Sequence, residues 1–337
     1  FDSLASPCSI KNAPRFARRS FSSIISDISS QDSRDERPSK RSTSPAANLI
    51  TASTSQSNQD DNFDLSRLPG INEFSERAVL GLLKTFAQVQ RDRNLKKWKS
   101  DFRLGAGVGE WDLDINFGLS AGWAMEGAVG SVFKVDATYL SPHVNIAARM
   151  CSACPQYGVK LLVNDSFYNL LSGTVKAKFR HIDNVTFKGS GITQPIFTFD
   201  ARQTSNSFLN AKTNDAWNKL SAAYDSTFWD TDDDLTDMRR HAAGKVFSGL
   251  FKQGFDLYVS GEDWVESARL LEMASAEMVD CCSKQGWDFE DVGGGAGSGK
   301  LRAEWVDTPS KTLIEFMANH DFVAPEGWGG FRALVKK

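Results

Sequence analysis

Between Trp111 and Met150 the hydrophobic pattern of the chain changes its period, and this change restricts the possible folds more than any other feature. Apolar residues alternate with polar ones up to Phe117, which predicts a half-buried strand. Several glycines between 118 and 130 then indicate a second strand with a tight turn or a close backbone approach. Ser141 and Pro142 predict a helix start, because proline is favoured at the first helical position. Strands followed by a helix imply an architecture in which helices pack on a sheet.

Residues 1 to about 66 are rich in serine and poor in large apolar side chains. Such a segment cannot bury enough apolar surface to offset the entropy that ordering removes. We therefore predict a disordered segment over residues 1–66. The mixture of arginine, serine and apolar residues at 16–30 leaves a transit peptide as an alternative.

Three further patterns define the next region, which we place at residues 67–202. Apolar residues between Val79 and Val89 recur with helical spacing, so an amphipathic helix is expected there. VKLLVND predicts a short strand, and the helix after it would be capped by Asp165 or Ser166. Residues 179–200 predict two strands joined by a Gly-containing turn. Together these elements predict an α+β domain, in which helices pack on a sheet that contains antiparallel strands.

Residues 203–337 change to a helical pattern. The segment 245–278 predicts a helical hairpin that turns at residues 260–263, and its apolar spacing is similar to one tetratricopeptide unit. One such unit cannot bury its own apolar face, so we expect it to dock on the α+β part. A Gly-rich linker, a helix over 309–320 and an aromatic tail complete the chain.

Composition narrows the classes of partner and location. The net charge is −3, so there is no basic excess to indicate nucleic acid as a partner. The sequence contains no run of 18 apolar residues, and no transmembrane helix is therefore expected. Five cysteines without a regular framework favour a reducing, intracellular compartment.

The most conspicuous local pattern is GGGAGSGK, from Gly293 to Lys300, which matches most of a phosphate-binding loop. Leu301 stands where such a loop needs a serine or threonine for Mg²⁺. The acidic DFEDV before it is a poor candidate for the buried strand that should precede the loop. A flexible glycine linker is the better interpretation, and a P-loop NTPase is kept as an alternative that depends on this stretch alone.

Two other patterns resemble binding sites only in part. DTDDDLTDMRRH follows a calcium loop for five places, but Leu235 replaces the turn glycine and His241 replaces the bidentate glutamate. An acidic helix start is expected instead. Cys151 and Cys154 would lie three apart on a helix, with no second pair at metal-ligand spacing, which favours packing over metal or redox chemistry. The four histidines are scattered, and no Ser/His/Asp grouping can be argued.

Four segments occur together in an order that is typical of one family. They are GLSAGWAMEGAVGS, KVDATYLSPHVNIAARM, VKLLVNDSFYNLLS and NVTFKGSGITQPIFTFD. The combination resembles the later half of a class III adenylyl or guanylyl cyclase catalytic domain and covers roughly residues 75 to 200. The C-terminal segments GEDWVESA, DTPSKTLIEFM and FVAPEGWGGFR are similar to the tails of cyclase-domain proteins from unicellular eukaryotes. The resemblance implies a partial ferredoxin-like cyclase domain followed by a helical tail.

The resemblance also implies a reaction and the residues that perform it. The ribose 3′-oxygen of a nucleoside triphosphate attacks the α-phosphorus and pyrophosphate leaves, which requires positioning and charge neutralisation. Asn145 would orient the ribose, and Arg149 would meet the charge that develops on the α-phosphate. Lys188 would bind near the terminal phosphates. Thr138 occupies the purine-reading position, where the family pairs threonine with adenine, so ATP is favoured over GTP.

The chain departs from the family in its metal ligands. Active members hold two Mg²⁺ or Mn²⁺ ions on two aspartates that precede the helix matched here by residues 75–93. Asp112 and Asp114 lie on a later strand and are not assigned to this role, so no metal ligand is predicted in this chain. In the family the site forms between two cyclase domains, as a homodimer or heterodimer. This chain would supply only the Asn/Arg side, and alone it is expected to be inactive.

Two hypotheses remain open. In the first, the chain is part of an active adenylyl cyclase in cyclic-nucleotide signalling whose metal-binding start lies outside this sequence. In the second, it is a catalytically inactive cyclase-like module that regulates another cyclase. Relatives are often anchored to membranes by segments that are absent here. Loss of the first strands is expected to leave one edge of the sheet unpaired.

Overall fold

The structure is a computed structural model that describes residues 64–98, 101, 103–104, 113, 115–131, 134–187, 191–201, 224–239, 242, 244–284 and 306–334. The predicted disordered segment lies almost entirely outside these ranges. Lys188, Asp112, Asp114, His241 and the glycine stretch 293–300 also lie outside the described residues.

The described elements begin with a short 3-10 turn and then include ten helices and seven strands. The helices are α1 (Ile71–Arg91), α2 (Arg93–Lys96), α3 (Pro142–Tyr157), α4 (Asp165–Tyr168), α5 (Gly173–Lys176), α6 (Phe228–Thr231), α7 (Asp233–Arg239), α8 (Lys245–Ser260), α9 (Trp264–Lys284) and α10 (Thr308–Ala318). The strands are β1 (Phe117–Leu119), β2 (Met125–Gly130), β3 (Val135–Leu140), β4 (Leu161–Asn164), β5 (Arg180–Phe187), β6 (Thr193–Thr198) and β7 (Arg332–Leu334).

Five strands form one mixed sheet in the order β1-β4-β6-β5-β7. Strands β1 and β4 are parallel neighbours, and α3 connects them in a β-α-β arrangement. Strand β6 is antiparallel to both of its neighbours, β4 and β5. Strands β2 and β3 pair only with each other, as an antiparallel hairpin that we call the ribbon. The ribbon is inserted between β1 and α3.

Two hydrophobic cores cover the two faces of the sheet, because successive strand residues point to opposite sides. Leu162 contributes to a core with α3 and the C-terminal helices α8, α9 and α10. Leu161 and Val163 contribute to the other core, which contains α1, α6 and α7. The C-terminal helices therefore pack on the same sheet face as α3. This agrees with the expectation that the helical hairpin docks on the α+β part.

The α+β class is confirmed, and so are the helix start at Ser141-Pro142 and the hairpin turn at 260–263. Two details differ from the sequence predictions. The cap of α4 is Asn164, whose side chain accepts from the Phe167 amide, because the strand ends at Asn164 and the helix begins earlier than expected. Of the predicted strand before Gly118, only Phe117 is paired among the residues described there.

Among the described strands, β1 lies at one edge of the sheet. At the other end β7 pairs in parallel with β5, so the C-terminal tail covers an edge that would otherwise be exposed. Within the described part of the chain, no helix combines the length and hydropathy needed to cross a membrane.

Candidate functional site

The candidate site is built on α3, which lies directly against β1. At Gly118 an added Cβ would stand 2.2 Å from the carbonyl oxygen of Ala147 and 2.5 Å from the amide nitrogen of Cys151. Only glycine permits this approach of strand and helix backbones. The Cys151 thiol donates to the carbonyl of Asn116 at 3.1 Å, and the Cys154 thiol donates to that of Phe117 at 3.4 Å. The two cysteines therefore attach α3 to β1.

These contacts confirm the packing interpretation of the two cysteines. Burial raises the pKa of Cys154 to about 12, so its thiol is protonated at neutral pH and a poor metal ligand. The sequence indicated a close backbone approach or a tight turn at the glycines between 118 and 130, but it did not show that Gly118 contacts α3. Its glycine is visible in the sequence, but the backbone that approaches it is 29 or more residues away.

The start of α3 is tied to the ribbon through Ser141. The Ser141 hydroxyl donates to the carbonyl oxygen of Trp123 at 2.5 Å and accepts from the amide of His143 at 3.0 Å. The second contact caps the helix, with Pro142 at its first position. One hydroxyl therefore sets both the helix start and its orientation relative to the segment that leads into β2.

Asn145 and Arg149 lie four residues apart on the outer side of α3. Asn145 is exposed and Arg149 is half-buried. Buried helix residues such as Met150 and Tyr157 lie on the opposite side. Within the described part of the chain, no carboxylate forms an ion pair with the Arg149 guanidinium. The side-chain amide of Asn145 likewise forms no hydrogen bond there. Both side chains are thus available to an external ligand.

Thr138 lies on β3, four residues before α3 begins, and is half-buried. Its cross-strand neighbour is Gly127, and no atom lies within 4 Å of the position that a Cβ would occupy there. The position opposite Thr138 on the ribbon is therefore open. The structure thus places Thr138, Asn145 and Arg149 on consecutive elements, whereas Lys188, the fourth predicted residue, lies outside the described residues.

The ribbon exposes apolar side chains on both faces. The register puts Met125 and Val129 on one face, and Val135 and Tyr139 on the other. These four side chains are 57%, 54%, 65% and 60% exposed, respectively. A two-stranded hairpin is at best marginally stable in water when neither face is covered. Among the described residues, this hairpin with two apolar faces is therefore a candidate surface for binding a partner.

The buried carboxylates near the sheet already have partners. Asp183 accepts from Tyr157 Oη at 2.6 Å and from Arg332 Nε at 2.6 Å. Burial raises the pKa of Asp183 above that of a free aspartate, although the Arg332 charge opposes this shift. The described residues contain no group of three or more His, Cys, Asp or Glu that could hold a metal ion.

The Tyr157–Asp183–Arg332 cluster is a second feature that sequence reasoning missed. Arg332 also donates to Tyr157 Oη at 2.9 Å, so the three side chains close a ring. The cluster joins the last turn of α3 to β5 and to the C-terminal strand β7. No sequence signal could have revealed it, because 149 residues separate Asp183 from Arg332.

Comparisons with protein-family models, with curated proteins and with solved structures gave no match.

Proposed function

We propose that this chain supplies the Asn/Arg side of a nucleotidyl cyclase site, which converts ATP to cyclic AMP and pyrophosphate. The observation that carries the proposal is the position of Asn145 and Arg149. A half-buried guanidinium and an amide occupy one outer stripe of α3 without partners in the described structure. The fold supports the same conclusion, because a β-α-β unit with antiparallel strands beside it is compatible with a partial ferredoxin-like cyclase domain.

The chemistry assigned to these residues is charge neutralisation and orientation. A bond forms between the ribose 3′-oxygen and the α-phosphorus, while the bond from that phosphorus to the bridging oxygen of pyrophosphate breaks. Arg149 donates hydrogen bonds to the α-phosphate oxygens as negative charge develops on them. Asn145 holds the ribose so that the 3′-oxygen is aligned for attack. Thr138 contacts the adenine edge, and Lys188 binds the terminal phosphates.

The second half of the site comes, in this proposal, from a second cyclase domain. When bound, Mg²⁺ or Mn²⁺ would neutralise phosphate charge and promote loss of the hydroxyl proton. In this proposal the metal ligands belong to the second domain, and the described residues of this chain bind and orient the nucleotide. The ribbon supports the pairing, since its two apolar faces can be buried only against another molecule or another part of the protein.

A complementation assay tests the proposal. The full chain is mixed with a cyclase domain that keeps its metal-binding aspartates but has its own Asn and Arg replaced by alanine. We expect cyclic AMP from Mn-ATP only in the mixture. Arg149→Ala should lower this rate by about 10²- to 10³-fold. The matched control is Arg103→Ala, because Arg103 is exposed and pairs only with the neighbouring Asp101.

Two results would contradict the proposal. Turnover of Mn-ATP by the chain alone would refute the half-site arrangement. No cyclic nucleotide from ATP or GTP in any mixture would refute the cyclase assignment itself. Thr138→Cys separates the nucleotides, since the resemblance pairs cysteine with guanine and predicts a shift towards GTP.

The alternative is a regulatory module without catalytic residues of its own. The feature that favours it is the exposed two-faced ribbon, which binds a partner whether or not α3 acts in catalysis. The Arg149→Ala variant separates the two proposals. If the chain is a regulator, the Arg149→Ala variant should change the partner's activity as much as the wild-type chain does. If the chain is a catalytic half-site, the variant should lose this effect.

A further inference from the structure

A cavity of about 240 Å³ lies where the start of β5 meets α8, away from the candidate cyclase site. Four phenylalanines, Phe179, Phe247, Phe251 and Phe255, form the apolar part of its lining, and polar or charged side chains form the rest. An apolar cavity of about 150 Å³ is enough to hold benzene. This cavity therefore has room for one aromatic ring and a small substituent.

Arg239, the last residue of α7, lines the same cavity. Its Nε is buried and has no hydrogen-bond acceptor among the described residues. The guanidinium carbon lies 5.8 Å from the centre of the Phe199 ring. Burial lowers the pKa of Arg239, and the charge of Asp200, which would raise it, does not compensate. The side chain is thus a half-buried cation whose Nε has no acceptor among the described residues.

Two other arginines in the described part of the chain, Arg180 and Arg332, have little exposed side chain and are paired, which distinguishes them from Arg239. Arg180 donates to Asp200 at 2.9 Å and to Asp307 at 2.8 Å. Arg332 donates to Asp183 at 2.6 Å. A buried charge without a partner is unfavourable, so its retention beside a cavity points to a ligand that supplies the missing anion.

We infer that this cavity binds a small aromatic monocarboxylate, with the carboxylate on Arg239 and the ring among the phenylalanines. The planar guanidinium matches a carboxylate in a two-hydrogen-bond arrangement. The remaining charges favour a single negative charge. Arg180 is already neutralised by two aspartates, and Lys252 and Asp256, which carry opposite charges, both line the cavity. A dianion would place excess negative charge near Asp200.

The experiment uses the full chain and two matched probes, benzoate and benzamide, titrated by isothermal calorimetry. Benzoate should bind about 10- to 100-fold more tightly than benzamide, because a hydrogen bond to a charged group is lost in the amide. Arg239→Gln should remove this difference by weakening benzoate binding about 10- to 100-fold. The control Lys245→Gln removes an exposed cation of α8 that does not line the cavity and should change benzoate affinity by no more than about 3-fold.

Two further variants separate a ligand site from a structural arginine. Unliganded Arg239→Gln should unfold at the same urea concentration as wild type, or at a higher one, because a buried unpaired charge has been removed. Ser248→Trp, at an exposed position that lines the cavity, should block binding of both probes without unfolding the protein.

Several outcomes would overturn the inference. Benzoate and benzamide could bind equally, or benzoate could fail to saturate the wild-type chain. Arg239→Gln could leave benzoate affinity unchanged, or could lower the urea midpoint, which would make Arg239 structural. Unchanged binding to Ser248→Trp would place the probe elsewhere, such as the neighbouring cavity that Arg239 shares with Lys178 and Trp229.

Discussion

Replacing Gly118 by alanine tests whether direct contact between α3 and β1 sets the position of the candidate site. The new Cβ would lie 2.2 Å from the carbonyl oxygen of Ala147 and 2.5 Å from the amide nitrogen of Cys151. An ordinary carbon–oxygen contact needs about 3.3 Å, so helix and strand must separate by about 1 Å. Neither backbone atom can rotate away, because both belong to hydrogen-bonded turns of α3.

The expected cost follows from this overlap. Inserting a methyl group into a closely packed contact typically costs about 1–3 kcal/mol. We expect the upper part of this range, because the separation also weakens the contacts from the Cys151 and Cys154 thiols to β1. Since Asn145 and Arg149 are carried by α3, the complementation rate should fall as well.

Equilibrium urea unfolding of the full chain, followed by tryptophan fluorescence, measures the effect. Gly81→Ala is the matched control, because Gly81 lies in α1 and no atom is within 4 Å of its would-be Cβ. This control should be neutral or stabilising by up to about 1 kcal/mol. If Gly118→Ala unfolds at the same urea concentration as wild type, α3 and β1 are not in the close backbone contact that these distances describe.

Three other substitutions or conditions give separate tests. Val135→Lys with Tyr139→Lys on the exposed ribbon should weaken self-association or binding to a second cyclase domain, measured by analytical ultracentrifugation, while the urea midpoint of the unpaired chain stays unchanged. Burial opposes ionisation of Asp307, but the Arg180 charge outweighs it and lowers the pKa of Asp307 below 3.8. Its contribution to stability is therefore present above pH 3.8 and lost as the pH falls below that value, and Asp307→Asn should flatten the fall in unfolding free energy between pH 6 and 3. Burial raises the pKa of Cys154 to about 12, so iodoacetamide should not modify this thiol in the native protein at pH 8. Mass spectrometry measures the modification, and rapid labelling would contradict the buried position.

Local sequence patterns predicted most helices and strands, because hydrophobic period and capping act within a few residues. The apolar spacing of α1 and the Ser141-Pro142 start of α3 are such signals, and both are present in the fold. The cap of α4 was predicted one or two residues too late. Asn164 is still paired with Ile196 of β6, and strand pairing of this kind depends on a residue far away in the chain.

The candidate site also has some features that local sequence predicts and others that depend on distant contacts. Asn145 and Arg149 could be placed on one side of a helix from their spacing alone. Their exposure depends on which face of α3 packs on β1, and that is decided by Gly118 and the backbone of Ala147. Strand β7 and its contact with β5 were not predicted, because three residues near the C-terminus carry no strand signal of their own.

By itself the sequence determined the types of the elements, the α+β class and the residues of the proposed cyclase half-site. These properties arise from side-chain period and chemistry within short segments. Only the tertiary structure decided that the C-terminal helices share a core with α3, that the ribbon has two exposed apolar faces, and that Arg239 lies unpaired beside a cavity. Each of these depends on contacts between distant residues, and pairing over such distances has no periodic signal in a single sequence.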